Sequence, residues 1–294
     1  MKMKRFVLSY LVVTVIFLTG SFASAAERIA YSHLTDGYWQ IWVMDPDGGQ
    51  RQQVTFSQFD KRNPTWVKHQ KSILFRTHNG QLYLTDLGSS NERPILSTFN
   101  NLSNPHYNEA RDEIVFIRFV PDTSDASELW KAGLADQTPQ MLTFDHGPKY
   151  HPSFSHDGSK ITFSKADEKN FYHIWVMDSN GAQQRQITSG EGFDFLPYFS
   201  PEQNQIVFTS NHKNNNYDIY TVDVETGEVH QLTMDIGLDT SGSFSLDGER
   251  IVFVSNRTGS RQIWTMKKDG SDPRPVTHDS NESIDPVWID LAEE

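Results

Sequence analysis

Apolar positions in this chain fall into short runs separated by polar turns, a pattern typical of β-strands. The stretch from His151 to Thr188 shows this most clearly. One strand has alternating apolar residues at Ile161 and Phe163, and the next has an apolar run at 174–177. Turns that contain Asp-Gly or Asn-Gly, which tight hairpins favour, separate the strands. One small four-stranded sheet cannot bury both of its faces, so the pattern predicts stacking against copies of itself.

Copies of this unit recur along nearly the whole chain. The second strand of the unit begins at Ile29, Ile73, Ile114, Ile161, Ile206 and Ile251. These starts lie 41 to 47 residues apart, and the third and fourth strands repeat in the same order. A repeat of this length is typical of a propeller. We therefore expect an all-β fold, a six-bladed β-propeller of four-stranded antiparallel blades.

The two ends of the repeat region predict how the ring closes. Residues 29–56 supply three strands of the first blade, whereas an additional inner-type strand, Asp285-Pro286-Val287-Trp288, follows the last blade. We expect this C-terminal strand to pair with the strand that begins at Ile29. It then becomes the innermost strand of the first blade.

The turns and strands of the repeat resemble those of the TolB-type propeller. The matching turns are Ser155-His156-Asp157-Gly158, Ser245-Leu246-Asp247-Gly248 and, less closely, Ser200-Pro201-Glu202-Gln203. The resemblance covers about residues 29–290, and the turns at 67–71 and 108–112 depart from it because they lack Gly. It implies a TolB-like propeller and an envelope location. It does not extend to the α/β domain that precedes the propeller in TolB proteins, so it does not imply the role of TolB in its envelope complex.

The first 25 residues have the pattern of a secretory signal peptide. Three basic residues precede an apolar run from Phe6 to Leu18, and Ala23-Ser24-Ala25 supplies a small-residue cleavage site. The apolar run is shorter than the ~20 residues that a membrane span needs. We expect cleavage after Ala25, a periplasmic protein without a membrane span, and one propeller domain over residues 26–294.

Charge narrows the range of partners, and cysteine content bears on how the fold is stabilised. The whole chain carries a net charge of −12, and loss of three basic residues with the leader leaves 23 basic and 38 acidic residues, or −15. Binding to nucleic acid or to an anionic membrane requires a basic patch, so this balance disfavours both. The chain has no Cys. Its stability must therefore come from packing without disulfide bonds.

Catalytic motifs of the common hydrolases and nucleotide-binding proteins are absent from the sequence. Some TolB-like propellers are pectin-fragment lyases with a His-rich metal site in the channel, so the resemblance raises a metal-dependent, oligogalacturonate-lyase-like enzyme as an alternative. The candidate ligands here are His146 and His151, with His106 and His278 on comparable loops. We expect no cofactor, because solvated loop histidines are the simpler explanation of this pattern and a site with three protein ligands would need further histidines from other blades.

The two ends of the predicted ring differ in their loops. Short Asp-Gly-like turns lie at one end, whereas the longer loops between second and third strands and between successive blades lie at the other. Binding residues usually lie on variable loops that a rigid scaffold holds. The predicted binding residues at the mouth of the channel on this side are Arg62, Lys149, Tyr150, His151, Asp194, Phe195 and Asp239. We expect them to bind a protein or peptide partner in the cell envelope. The oligomeric state is left open.

Overall fold

The computed structural model describes residues 27–89, 91–121, 126–213 and 215–291. The predicted signal peptide lies outside these residues. Within these ranges, twenty-four strands form six four-stranded antiparallel sheets, which confirms the predicted six-bladed propeller. One helix is present in the described residues, a three-residue 3-10 turn at Lys68–Gln70. This part of the chain therefore has no helix with the length and apolar character that a membrane span requires.

The strands follow the chain blade by blade, and each blade runs from an inner to an outer strand. Blade 1 consists of β24 (Ser283–Asp290), β1 (Glu27–Thr35), β2 (Tyr38–Met44) and β3 (Gln52–Gln53), blade 2 of β4 (Lys61–Val67), β5 (Ser72–Thr77), β6 (Leu82–Asp86) and β7 (Glu92–Ile95), and blade 3 of β8 (Leu102–Asn108), β9 (Glu113–Phe119), β10 (Ser127–Gly133) and β11 (Gln140–Met141). Blade 4 consists of β12 (Lys149–Phe154), β13 (Lys160–Ala166), β14 (Tyr172–Asp178) and β15 (Arg185–Gln186), blade 5 of β16 (Asp194–Phe199), β17 (Gln205–Ser210), β18 (Asp218–Asp223) and β19 (Val229–Gln231), and blade 6 of β20 (Asp239–Phe244), β21 (Arg250–Ser255), β22 (Gln262–Lys267) and β23 (Arg274–Pro275).

The C-terminal strand closes the ring as predicted. In the antiparallel pairing of β24 with β1, Ile29 lies opposite Trp288 and Ala30 opposite Val287. The Trp288 indole is 4% exposed and donates a hydrogen bond to the Ser243 carbonyl of blade 6 at 3.2 Å. A single strand therefore completes blade 1 and also packs against blade 6.

The core lies between neighbouring blades. The second strand of every blade places one aromatic residue at the same position, and these six rings are almost fully buried: Tyr31, Phe75, Phe116, Phe163, Phe208 and Phe253. Each of them belongs to an apolar cluster that joins two blades. Burying a side chain of this size contributes roughly 1.5 to 3 kcal/mol. The repeat period thus appears in the structure as one large buried ring per blade.

Outer strands are shorter than the repeat predicts because a threonine ends their pairing. In blade 4 only Arg185–Gln186 pair with β14, although the apolar pattern continues to Thr188. The Thr188 hydroxyl accepts the Ile174 N–H at 2.9 Å, in place of a carbonyl of the outer strand. Equivalent hydroxyls at positions 55, 143, 233 and 277 do the same in blades 1, 3, 5 and 6.

Inner strands share an irregularity that the apolar pattern does not reveal. Each has a register shift at its third or fourth residue, where one residue adopts a left-handed backbone conformation. These six residues, with φ between 48° and 59°, are Asn63, Asn104, His151, Leu196, Ser241 and Asp285. A bulge of this kind redirects a side chain and is common beside functional sites. Here it is repeated around the whole channel.

Candidate functional site

The channel opens at two unlike ends. At the turn face, where inner strands end, a cavity of about 480 Å³ is lined by the aromatic residues of the inner strands, among them Tyr107, Phe154 and Phe244. These three rings are only 4% to 7% exposed, so most of their surface is already used in the core. At the opposite end, which we call the loop face, the chain crosses between second and third strands and from each outer strand to the next blade.

Exposed apolar side chains concentrate on the loop face. Of the eight large hydrophobic residues that are exposed in the described part of the chain, six lie on its loops or at a strand end beside them: Tyr38, Phe56, Phe144, Met234, Ile236 and Leu238. Ile236 is fully exposed and Met234 is 79% exposed. Exposed apolar residues that cluster on one side of a protein are typical of an interaction surface.

Aromatic rings of blades 3, 4 and 5 form a connected group on the loop face. We define the aromatic patch as Phe119, Tyr150, His151, Phe171, Tyr172, Phe193 and Phe195. Neighbouring ring centroids lie 4.9 to 6.3 Å apart, the closest pair being Tyr172 and Phe195. Every member is half-buried. The patch therefore presents a continuous aromatic surface to solvent, supported by ring-to-ring packing.

Short polar contacts hold the loops that carry this patch. Asp167 accepts the N–H groups of Lys169 and Phe171 at 2.8 and 2.9 Å, which fixes the loop before β14. In the next connection, the Phe193 N–H donates to the Asn211 side chain at 2.7 Å. A backbone bridge between Tyr172 and Phe193 joins the two loops. The rings are thus positioned by ordered backbone on both sides.

Three of the predicted binding residues are buried at blade contacts. Lys149 is fully buried, 3.3 Å from the Glu128 carboxylate, and donates to the Gly147 carbonyl at 2.9 Å. Asp194 and Asp239 are also fully buried. Each of these residues begins an inner strand, and the next residue points the opposite way because side chains alternate along a strand.

Each buried carboxylate has a nearby partner of opposite charge or a hydroxyl group. Asp194 accepts the Thr188 hydroxyl at 2.5 Å and lies 3.0 Å from the His212 ring, and this carboxylate raises the pKa of His212. Asp239 accepts a hydrogen bond from Arg257 at 2.6 Å. Burial nevertheless raises the pKa of Asp239. These groups stabilise contacts beneath the loop face.

The other four predicted residues reach the channel mouth. Tyr150, His151 and Phe195 belong to the aromatic patch, with the His151 ring 6.0 Å from those of Tyr150 and Phe195. Arg62 lies in blade 2 and donates to Asp285 of blade 1 at 2.6 Å. Burial lowers the pKa of His151 to about 4, so its ring is neutral near pH 7.

The candidate histidine ligands do not come together. His146 is largely exposed and lies 3.2 Å from the Glu128 carboxylate. His106 accepts the Phe154 N–H at 3.2 Å in the interior of the propeller. His278 lies exposed on a loop after the last outer strand. Across the described ranges, no three His, Asp or Glu side chains are close enough to hold a metal ion.

Sequence reasoning missed four members of the site. They are four rings of the aromatic patch, which lie in loops or at strand ends next to loops: Phe119, Phe171, Tyr172 and Phe193. The available signal was local: Phe171 stands directly before β14, Tyr172 begins that strand, and Phe193 stands two residues before Phe195. Only the bridge between the two loops shows that these rings form one surface.

Comparisons with known proteins give the same fold as the structure. The model of the TolB β-propeller domain family matches residues 81–215 and 137–292. TolB from Acinetobacter baumannii has a TM-score of 0.79 at 22% identity, covering 89% of this chain and 66% of its own. A putative TolB from Agrobacterium tumefaciens has a TM-score of 0.73 at 19% identity, covering 86% of this chain and 88% of its own.

A more distant likeness is to an oligogalacturonate lyase in complex with manganese, with a TM-score of 0.59 at 16% identity over 84% of this chain and 73% of that one. At these identities the likeness to solved structures establishes the fold. The sequence matches none of the curated proteins with which it was compared. Because the overlapping family matches extend over residues 81–292, the chain belongs to the TolB β-propeller family.

Proposed function

We propose that this chain is an exported, non-enzymatic TolB-like propeller that binds a protein or peptide in the cell envelope through its loop face. The aromatic patch is the observation that carries this proposal. Half-buried rings contributed by three blades offer a large, rigid contact area at low conformational cost, which is typical of the anchors in protein interfaces. The envelope location rests on the signal-peptide pattern of residues 1–25.

The surroundings of the patch support the same function. The exposed side chains of Phe144 and Met234 lie on loops at the rim of the same face. The ion pair of Arg62 with Asp285 and the exposed pair of Arg261 with Glu282 add charged groups. An apolar centre with a polar surround is the usual composition of a binding surface.

Four of the predicted binding residues are kept as ligand-facing groups: Arg62, Tyr150, His151 and Phe195. Lys149, Asp194 and Asp239 are assigned to the supporting contacts, since each is fully buried. Replacing one of these three would disturb the blade junction, so a loss of binding in such a variant would not identify a contact. The informative substitutions are therefore those in the patch.

The test begins with capture of a partner. The mature chain, residues 26–294, is immobilised and exposed to an envelope extract, and each retained protein is purified and titrated by calorimetry. We expect Tyr172→Ala and Phe195→Ala each to weaken a true partner by at least about fivefold, since interface anchors contribute roughly 1 kcal/mol or more.

The matched control is Leu246→Ala at the turn face. Leu246 is 46% exposed and lines the cavity at that end, so it tests an apolar contact on the other side of the ring. A partner that is weakened by this change and not by the patch variants would move the site to the turn face. Cleavage of an oligogalacturonate that depends on His151 would instead support the enzymatic alternative.

A further inference from the structure

Two arginines face each other across the first pair of strands in blade 2. Arg62 of β4 and Arg76 of β5 are directly opposite in the antiparallel register. Like charges at opposite positions of a sheet are destabilising. The equivalent pairs in blades 4 and 5 are Tyr150 with Ser164 and Phe195 with Thr209, so the paired cations are a special feature of blade 2.

Only one of these cations is neutralised. Asp285 accepts from the Arg62 Nε at 2.6 Å and from its Nη2 at 3.4 Å. The same carboxylate also accepts the Asn63 N–H at 3.2 Å and the Ser32 hydroxyl at 3.3 Å. Three of these four donors bond to Oδ2 and one bonds to Oδ1. In the described residues Asp285 therefore pairs with Arg62 and makes no hydrogen bond with Arg76.

Arg76 is left without a carboxylate in hydrogen-bond contact among the residues that the structure describes. Its Nε atom is buried and has no hydrogen-bond partner there. Burial lowers the pKa of Arg76, the nearby Arg62 lowers it further, and Asp285 acts in the opposite direction. A desolvated donor without a partner destabilises the free chain, and more strongly when it is charged. Such a cost is offset when an anion binds.

His151 of blade 4 adds a second unpartnered donor at the same mouth of the channel. It occupies the left-handed bulge of β12, with φ of 53°. Its buried Nδ1 atom has no partner in the described part of the chain. The charges of Asp285 and Arg76 both act on this ring, which places all three groups in one electrostatic environment. A neutral imidazole has one N–H, and in the Nδ1–H tautomer it can donate to an anion at this point.

We propose that the channel mouth binds a carboxylate group of a peptide, with Arg76 and His151 as donors and the adjoining aromatic patch holding a neighbouring apolar side chain. This assignment rests on the proposed recognition function and specifies the ligand chemistry. A planar guanidinium matches the geometry of a carboxylate. The ring of Phe195, 6.0 Å from that of His151, joins the polar pair to the apolar surface.

Small peptide probes test the proposal directly. N-acetyl-phenylalanine has one aromatic ring and a terminal carboxylate, whereas N-acetyl-phenylalanine amide has the ring and no carboxylate. N-acetyl-aspartyl-phenylalanine amide has the ring and a side-chain carboxylate. Binding is measured by calorimetry or by chemical-shift titration on the mature chain. We expect at least one of the two acids to bind at least tenfold more tightly than the amide, and the tighter acid identifies the source of the carboxylate.

Arg76→Gln should abolish the preference for the acid, whereas Arg93→Gln, on the outer strand of the same blade, should leave it unchanged. The melting temperature of Arg76→Gln should be equal to or higher than that of the unsubstituted chain, because a like-charge pair is removed. A lower melting temperature would indicate a structural role and overturn the proposal. If Arg76→Gln does not fold, His151→Asn provides the second test and should reduce the preference at least fivefold.

Several outcomes separate this proposal from the recognition function. The carboxylate site is overturned if the acids and the amide bind equally well. It is also overturned if the acids bind Arg76→Gln as tightly as they bind the unsubstituted chain. Binding of digalacturonate with no binding of the peptide acids overturns the assignment to a peptide. A captured partner that is weakened by Tyr172→Ala but not by Arg76→Gln leaves the recognition function in place and removes only the carboxylate contact.

Discussion

At the scale of single residues, neighbours in sequence have opposite roles. Lys149 lies buried in a blade junction, whereas Tyr150 points into the channel mouth. The strand period predicts that the two side chains diverge. It does not predict which of them faces the junction, because the bulge at His151 shifts the register just after this pair. The sequence therefore located the right segment without separating its structural and exposed residues.

Gly181 is a residue whose replacement should be costly. It has φ of 89°, and a Cβ atom would lie 2.5 Å from the Leu142 carbonyl oxygen of blade 3. We expect Gly181→Ala to lower the free energy of unfolding by about 2 kcal/mol or more, measured by urea denaturation. Gly37→Ala has the positive φ without the contact and should cost less. Equal losses in the two variants would show that the contact contributes nothing.

Asp218 makes stability depend on pH. Burial raises its pKa from 3.8 to about 6, and the nearby Asp239 and Asp235 act in the same direction. The folded chain therefore holds this proton more tightly, so the stabilisation is complete below pH 3.8 and is lost as pH rises through about 6. We expect Asp218→Asn to be more stable by about 1 to 3 kcal/mol at pH 8.

Thermal melting at pH 4.5 and at pH 8 checks this prediction. The change in melting temperature between the two conditions should be smaller in Asp218→Asn than in the parent chain. Glu225→Gln, an exposed change on the following turn, should behave like the parent. A variant that is destabilised equally at both pH values would show that the carboxylate acts only through its hydrogen bonds with Thr233 and Gln231.

At the scale of elements, the strands were predictable and their irregularities were not. Apolar alternation and the period of 41 to 47 residues gave the six blades and the closing strand. Blades 2 and 3 formed although their inner turns lack Gly, because Lys71 and Asp112 adopt the left-handed conformation with φ of 46° and 50°. The short outer strands depend on hydrogen bonds to Thr hydroxyls, and the inner bulges depend on contacts between blades. The local pattern of apolar residues predicts neither.

The closing strand should be essential to the fold. A chain that ends before Ser283 loses Trp288 and exposes the edge of β1, which is a hazard for aggregation. We expect a marked loss of soluble protein and a lower melting temperature, since removing a buried Trp side chain alone costs about 3 to 5 kcal/mol. A chain that ends at Leu291 keeps β24 and serves as the control. Full solubility and an unchanged melting temperature after the longer truncation would contradict this role.

At the scale of the whole molecule, the sequence specified the ring but not the surface it presents. Loop residues of different blades approach one another only when the blades pack, so the contact between Tyr172 of blade 4 and Phe195 of blade 5 was beyond the reach of a repeat pattern. The same applies to Arg62 and Asp285, which are separated by almost the whole chain and meet in the channel. Sites assembled from several blades depend on how the blades pack, and this is why residue type alone predicted them incompletely.

Export can be tested on the whole chain. If the leader is cleaved where its pattern indicates, protein isolated from the envelope of its native host begins at Ala26, as N-terminal sequencing would show. Replacing the residues before the cleavage site, as in Ala23→Lys, should leave the longer precursor, because the small-residue pattern is lost. Mature protein that retains Met1 would refute the prediction.

The pairing of β24 with β1 also sets the order of events during synthesis. Ala30 pairs with Val287, so the first blade cannot be completed until nearly all of the chain has been made. At about 5 to 20 residues per second, translation leaves β1 without its partner for roughly 13 to 50 seconds. During that interval its open edge needs protection from other chains. A chain destined for export would thus still have an open ring when its synthesis ends.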